Sequence, residues 1–330
     1  MKKNLIQKRG QQLAIWYKEN HRTLPWRKNK DPYQIWISEV MLQQTTVTAV
    51  VPYYERFLNR FPNVSALAAA DEKEVLKYWS GLGYYSRARN LHKAAQILAT
   101  APFPKTYQEL LKLPGFGPYT ARAVSSLAFN EAVGVLDGNV IRVLSRLYAL
   151  PINWWTSSGR EELQKLSDEL AQTTDSSIIN QALMELGATI CTPQVTHCHR
   201  CPWSQSCSAK AQNSMDQYPL KKPRKKIEFW LWKPLVTTQN SKVPLIKNET
   251  IPFLKGHYIF EGDAEKISVP PKKYDITHSI THHKIFVQIQ KKNLKTNQKL
   301  KPQQILTSID TISEISPSSL IQKIIATLEL

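Results

Sequence analysis

Leu113-Pro114-Gly115-Phe116-Gly117-Pro118-Tyr119-Thr120-Ala121, followed one short helix later by Val135-Leu136-Asp137-Gly138-Asn139, decides how this chain is read. Leu110, Leu111 and Leu113 close one helix, and Pro114 and Gly115 stop it. Gly117 and Pro118 turn the chain into a second helix with Ala121, Val124, Leu127 and Ala128 on its apolar face. Two glycines at a helix N-terminus let the backbone approach a ligand with free N–H groups aimed at it. Such a turn can hold an anion, and in a basic protein the expected anion is a DNA phosphate. An ordinary helix–turn–helix corner would show the same residues. Asp137, likewise, could simply cap the helix carrying Val140, Val143, Leu144 and Leu147, a role compatible with chemistry.

The chain has 330 residues, enough for two domains with substantial cores. Its 44 Lys and Arg against 26 Asp and Glu give a net charge of +18, which fits a polyanionic partner, nucleic acid or an anionic membrane surface. No apolar run approaches the ~20 residues of a membrane span, so no span is expected. Met1-Lys2-Lys3-Asn4 has the charge of a signal peptide but no apolar core behind it. A soluble, cytoplasmic protein with reduced thiols is expected, so the four cysteines argue for metal or cluster ligation rather than disulfides.

Residues 5–20 read as a helix, followed by Leu24-Pro25-Trp26-Arg27, a loop whose aromatic and guanidinium could line a base pocket or merely pack. Asp31 and Pro32 open the next helix as cap and first residue. Glu39 lies on it between Ile35 and Leu42, along a mostly apolar strip. A carboxylate there is either partnered by a backbone N–H or an arginine, or carries the raised pKa of a general acid. A further helix covers residues 46–60, and Glu74 to Trp79 open another. Gly81-Leu82-Gly83-Tyr84-Tyr85 then makes a second glycine turn before a basic helix with Arg87, Arg89, His92 and Lys93. Charge beside exposed rings is a DNA-facing combination, the cations holding phosphates and a ring wedging or stacking, so Arg87 and Arg89 are candidate phosphate contacts.

The apolar-periodic helix from Ile179 to Ile190 holds Glu185 and runs into Cys191, Cys198, Cys201 and Cys207, a C-x6-C-x2-C-x5-C pattern that uses every cysteine. Four thiolates suit a tetrahedral zinc or a [4Fe-4S] cube. A single C-x2-C pair with wide flanks departs from the paired spacing of zinc modules. His197 and His199 read as loop residues. After Tyr218-Pro219, residues 220–228 form a basic linker around Lys221-Lys222-Pro223-Arg224-Lys225-Lys226. Beyond it Phe229 to Val236, His257 to Phe260 and Lys284 to Ile289 read as strands, and Ser316-Pro317 caps a final helix with Leu320, Ile321, Ile324, Ile325 and Leu328 on one face. There are no repeats and no Walker-type phosphate loop.

The hairpin with its aspartate about twenty residues on resembles the helix–hairpin–helix, Gly-Pro-Asp superfamily of base-excision DNA glycosylases. The cysteine loop resembles that of its endonuclease-III-like branch, which favours the cluster over zinc. Within the superfamily, residues 12–219 resemble the MutY-type adenine DNA glycosylases through Leu24-Pro25-Trp26, Ser38 to Thr45, Gly81 to Tyr85, Leu136 to Val140 and the four cysteines. The resemblance implies a mainly α fold, with a six-helix part over about 24–133 and a cluster part from 1–23 plus 134–219. It also implies a C-terminal α+β, Nudix-like domain over 229–330.

In that family the enzyme excises adenine mispaired with 8-oxoguanine or guanine in double-stranded DNA, and a monomer with a [4Fe-4S] cluster on the four cysteines is expected. The resemblance places the general acid at Glu39 and the transition-state carboxylate at Asp137. Trp26, Arg27, Tyr119, Asn139 and Glu185 fall in or behind the base pocket. Gln43 and Tyr84 fall at intercalating positions, and Gly115, Gly117 and Thr120 at the DNA-gripping hairpin. Glycosylase–lyases of the branch carry a Schiff-base lysine where this chain has Tyr119, which implies a monofunctional enzyme. The family's Phe-Ser-His motif for oxidised guanine has its nearest equivalent in Ile280-Thr281-His282, and an acidic Nudix box is missing, so nucleotide hydrolysis is not expected.

Overall fold

The computed structural model describes residues 2–223, 225–238, 241–293, 301, 303–316 and 318–328. The chain divides into two compact units, Met1–Lys222 and Pro223–Leu330. The first is helical: α1 (Lys2–Asn20), α2 (Pro32–Met41), α3 (Val47–Arg60), α4 (Val64–Ala68), α5 (Glu72–Trp79) and α6 (Tyr85–Leu98). It continues through α7 (Tyr107–Leu110), α8 (Pro118–Phe129), α9 (Gly138–Leu147), α10 (Ser157–Ala171), α11 (Ser176–Thr189) and α12 (Ser208–Ala211). Among the described residues no helix is long and apolar enough to cross a membrane.

Local chemistry sets the helix starts. Asp31 accepts hydrogen bonds from the N–H groups of Tyr33 and Gln34, with Pro32 as the first residue of α2. Thr46 caps α3, Asp137 caps α9 and Asp175 caps α11. α2 is the most enclosed of these helices, with eight of its ten residues buried, Glu39 among them. Trp36 on α2 stacks on Phe116 from the hairpin with centroids 5.1 Å apart, tying the glycine turn to the core. Phe57, Phe61 and Trp79 extend the same core, each fully buried, and each contributes about 1.5–3 kcal/mol by leaving water.

Asn180 on α11, wholly buried, latches the segment that leads into Asp137. Its Oδ1 accepts from the Val135 N–H at 3.0 Å, while Nδ2 donates to the Val133 carbonyl at 2.8 Å and to Ser126 Oγ at 2.9 Å. An extended segment with no sheet partner thereby finds donors and acceptors in a side chain.

The second unit carries β1 (Glu228–Thr238), β2 (Lys242–Lys247), β3 (Tyr258–Ile259), β4 (Gly262–Ile267), β5 (Ile276–Ile280), β6 (His283–Val287), β7 (Gln290–Asn293) and β8 (Gln304–Ser308), then α13 (Ile312–Ile315) and α14 (Ser319–Ala326). One sheet runs β4-β1-β6-β5 with β7 also on β1; the other runs β3-β2-β8. β1 is central, parallel to β6 and antiparallel to β4. Trp232, Phe253, Phe260, Leu320, Ile321 and Ile324 fill the core.

Three expectations change here. The strand expected from His257 to Phe260 shrinks to Tyr258–Ile259, and the one expected to run to Ile289 ends at Val287. The last helix is capped by Ser318, whose hydroxyl accepts from the Leu320 N–H, and not by Ser316. Pro317 of the expected cap and Arg224 of the basic linker lie outside the described residues.

Asn180→Ala should cost about 2–4 kcal/mol, because it strands the buried Val135 N–H and Val133 carbonyl. Urea unfolding of the whole chain measures this, and a loss under about 1 kcal/mol would mean that the segment is held by other contacts.

Candidate active site

Glu39 projects from the last turns of α2 and is only 5% exposed. Among the described residues its one protein donor is the Tyr119 hydroxyl on α8, 2.7 Å from Oε2. Burial pushes its pKa up to about 7, with the Asp137 charge adding to the rise and the Tyr119 hydrogen bond and Arg27 opposing it. Tyr119 itself is driven well above the ordinary phenol range by burial and by the neighbouring carboxylates, so it remains a donor. Its oxygen also lies 3.3 Å from Met184 Sδ.

Asp137 caps α9: Oδ1 accepts from the Val140 N–H at 2.7 Å, and Oδ2 from Asn139 Nδ2 at 2.9 Å. Burial raises its pKa, while the Val140 and Asn139 donors and the Arg142 charge pull the other way. Capping and a place in the site therefore coexist in one carboxylate. Asn139 is fixed in turn: Arg142 Nη2 donates to its Oδ1 at 2.7 Å and to the Gly187 carbonyl at 2.8 Å, and Arg142 Nε donates to the Cys191 carbonyl at 2.7 Å.

Both carboxyls line one cavity of about 750 Å³ with Trp26, Arg27, Tyr119 and Glu185. Glu185 is fully buried and saturated. Arg22 donates to Oε1 from Nε at 2.7 Å and from its backbone N–H at 3.1 Å. Arg22 Nη2 and Arg27 Nη2 each reach Oε2 at 2.9 Å. Burial alone would raise this carboxyl; the Arg22 hydrogen bond and the Arg27 charge outweigh it and hold the pKa below the usual range. Arg27 spends its other arm on the Arg22 carbonyl at 3.1 Å. Trp26 is buried edge-to-face against Tyr54, centroids 5.3 Å apart. Sequence reasoning missed Arg22, which sits in the polar run Glu19-Asn20-His21-Arg22 and carries no periodic signal.

The hairpin has the expected form. Gly115 takes φ +78, and a Cβ there would stand 2.8 Å from Asn90 Cβ, whereas Gly117 opens on free space. The first intrahelical bond of α8 is from the Ala121 N–H to the Gly117 carbonyl, which leaves the Tyr119 and Thr120 N–H groups free of helical partners. The Thr120 side chain is 2% exposed and its hydroxyl accepts from Gln43 Nε2 at 3.1 Å, which leaves its backbone as the part that can meet a phosphate. Tyr84 is 59% exposed with a left-handed φ of +50.

On α6 the expected phosphate contacts fail in part. Arg87 turns inward, with Nη1 donating to the Val40 carbonyl at 2.8 Å and to the Gln43 carbonyl at 2.6 Å, and His92 is buried. Arg89 stays outside, 3.3 Å from Glu72. The 3.6-residue period turns Arg87 and His92 towards the protein and leaves Arg89 on the outer face.

Cys191, Cys198, Cys201 and Cys207 line one small cavity beside Arg146, whose Nη1 lies 3.4 Å from Cys191 Sγ. Burial pushes the Cys201 thiol up to about 12. Among the described residues the ligand atoms of Glu228, His282 and His283 all lie within 4.8 Å of one another, and no trio of cysteine sulfurs does. One tetrahedral zinc with bonds of about 2.3 Å would set sulfurs roughly 3.8 Å apart. In the second unit Thr281 and His282 form the turn between β5 and β6, Thr281 at φ +55, with Thr281 Oγ1 3.3 Å from His282 Nδ1.

The raised pKa of Glu39 has a consequence for stability. The folded state binds this proton more tightly than the unfolded chain, so its stabilising effect is complete below pH 4.5 and is lost as pH rises to about 7. Glu39→Gln should therefore raise stability at pH 8 by up to about 3 kcal/mol and by far less at pH 5. Urea melts at the two pH values test this; a variant no more stable at pH 8 would mean that Glu39 ionises freely.

Residues 37–173 match the HhH-GPD superfamily of base excision DNA repair proteins. An adenine DNA glycosylase of Buchnera aphidicola subsp. Baizongia pistaciae is 36% identical over 289 residues, covering 86% of this chain and 78% of that protein. The human adenine DNA glycosylase is 40% identical over 217 residues, covering 62% of this chain and 40% of its own. Among solved structures, a thermostable thymine-DNA glycosylase aligns with a TM-score of 0.56 at 27% identity, over 63% of this chain and 98% of that one. An endonuclease III–DNA complex shares the fold with a TM-score of 0.54 at 24% identity, over 64% and 98%. The sequence match places the chain in the adenine DNA glycosylases of the HhH-GPD base-excision repair superfamily, and it belongs to that family.

Proposed function

We propose that this chain removes adenine opposite 8-oxoguanine or guanine in duplex DNA, as a monofunctional glycosylase with Glu39 as acid and Asp137 as the transition-state carboxylate. Removal of adenine in base excision repair follows from family membership. The observation that carries the assignment of roles is the contrast between the two carboxyls of one cavity. Glu39 is enclosed, with one phenolic donor, and keeps its proton to about pH 7. Asp137 accepts a backbone N–H and an amide, donors that favour a carboxylate.

Adenine leaves poorly unless its ring is protonated, and Glu39 can supply that proton to N7. As the glycosidic bond breaks, positive charge develops on the deoxyribose, and the ionised Asp137 stabilises or captures it. Water then completes the hydrolysis. Tyr119 cannot form an imine, and its hydroxyl is engaged with Glu39. Glu185 with Arg22 and Arg27 supplies a rigid, ionised wall to the pocket that receives the extruded base, whose unstacking costs a few kcal/mol.

The four cysteines fit a [4Fe-4S] cluster: they share one cavity, and the Arg146 charge beside Cys191 suits thiolates. When bound, the cluster would cross-link residues 191–207 through iron–thiolate bonds. For the second unit we propose a check on the base opposite the adenine, with Thr281 and His282 on the exposed β5–β6 turn as the contacts.

Glu39→Gln should abolish adenine release in single-turnover assays on duplexes bearing A opposite 8-oxoguanine, G, C or T, while duplex binding persists. Release within about tenfold of the parent would remove Glu39 from the role of acid. The chain ending at Lys222 should still excise adenine but lose its preference for 8-oxoguanine over guanine as partner. His282→Ala should reproduce about 1–2 kcal/mol of that loss. Undiminished discrimination in the shortened chain would show that the second unit does not read the partner base.

A further inference from the structure

Two turns of the first unit hold strained backbone side by side. At the end of α2, Gln44 takes φ +61; before α6, Gly83 and Tyr84 take φ +69 and +50. A left-handed backbone at a residue other than glycine persists only where its surroundings fix it. One side chain touches both turns. Arg87 Nη1 donates to the carbonyls of Val40 at 2.8 Å and Gln43 at 2.6 Å, with Met41 at 3.5 Å. Its Nη2 donates to the carbonyls of Leu82 at 3.2 Å and Gly83 at 3.4 Å. The guanidinium carbon lies 5.2 Å from the Tyr84 ring centroid and 5.6 Å from that of the fully buried Trp79. Trp79 Nε1 completes the arrangement by donating to the Gly83 carbonyl at 3.1 Å.

We propose that Arg87 is a positioning residue that braces the Gln43–Gln44 turn against the Gly83–Tyr84 turn, so that the two side chains entering the duplex are held in fixed register. This rests on the reading that Gln43 and Tyr84 enter the duplex. The carbonyls of Val40 and Met41, with that of Gln43 just beyond, form the C-terminal end of α2, where a cation is favoured. A flat guanidinium can serve carbonyls on two sides at once, whereas a lysine ammonium is a single point donor. Arg87 does not need a phosphate: its two terminal nitrogens are occupied by backbone carbonyls.

The brace acts on extrusion of the base, not on bond cleavage, and the test separates the two. Arg87→Met and Tyr84→Ala are compared in the full-length protein by single-turnover release of adenine opposite guanine and opposite an abasic site. An adenine without a partner leaves the stack more easily. Arg87→Met should slow release opposite guanine at least tenfold and opposite the abasic site less than threefold. Its log–log salt dependence of duplex affinity should keep the parental slope, because no phosphate contact is lost.

Equal slowing on both duplexes, no slowing on either, or a slope flatter by about one unit, the mark of a lost phosphate contact, would each overturn the brace. Tyr84→Ala should show the same selective loss. If it shows none, the wedge reading falls and takes the brace with it; if Tyr84→Ala shows it and Arg87→Met does not, the brace alone falls. Should Arg87→Met fail to fold, Arg87→Lys, which keeps the charge and up to three donors, is read in the same assays. An intermediate but still selective loss supports the brace, and parental rates on both duplexes overturn it.

Discussion

The removal of Glu39 from water is the constraint around which the first unit is built. A carboxyl at that depth is held by one hydrogen bond, from Tyr119, and by the packing of α2 against α8. Everything that positions α2 therefore positions the proton. Asp31 fixes where the helix begins, and Trp36 locks its middle onto Phe116. The hairpin that would grip DNA and the acid that would act on the base are thus two faces of one packed pair of helices. A shift of either helix moves both functions together.

Much of this was legible in the sequence, for reasons that can be named. Asp137 and Asp31 were readable as caps because capping is local: the residue type and the following three positions determine it. Gly115 was readable because only a residue without a Cβ fits φ +78 beside Asn90. Burial of Glu39 followed from its place on an apolar strip. Arg22 and Asn180 were not legible, because their partners lie 163 and 45 residues away and nothing local marks the pairing. Arg87 misled for a related reason. Residue type suggested a phosphate contact, whereas direction, set by packing on α2, turned the side chain inward.

The second unit was harder to read, and the missed strands show why. β4 has the sequence Gly262-Asp263-Ala264-Glu265-Lys266-Ile267, a charged strand at a sheet edge, where charge blunts further pairing but hides the strand from a hydrophobic pattern. β2 contains Pro244, which normally argues against a strand. Here β3 pairs only with Ile246 and Lys247, so Pro244 faces an open edge on that side. Two of the strands that were found, β1 and β6, lie in the middle of their sheet, where burial leaves a run of apolar residues.

The two carboxyls of the cavity both have their pKa raised by burial but are anchored differently. Glu39 hangs from a helix by a flexible side chain into an apolar wall, so the proton is the least costly way to satisfy it. Asp137 is bound into the backbone of α9 and, through Asn139 and Arg142, into the carbonyls of Gly187 and Cys191. Such an arrangement resists movement as charge develops at the sugar, since the donors are already in place and need no reorganisation. It also makes the carboxylate's position depend on how α11 ends and how the cysteine loop begins. A Cβ at Gly187 would come within 2.6 Å of Asn139 Cβ, so α9 and α11 approach as closely as a glycine allows. The cysteine loop therefore bears on chemistry by fixing the Cys191 carbonyl that Arg142 holds, even though its sulfurs line a separate cavity from the one holding Glu39 and Asp137.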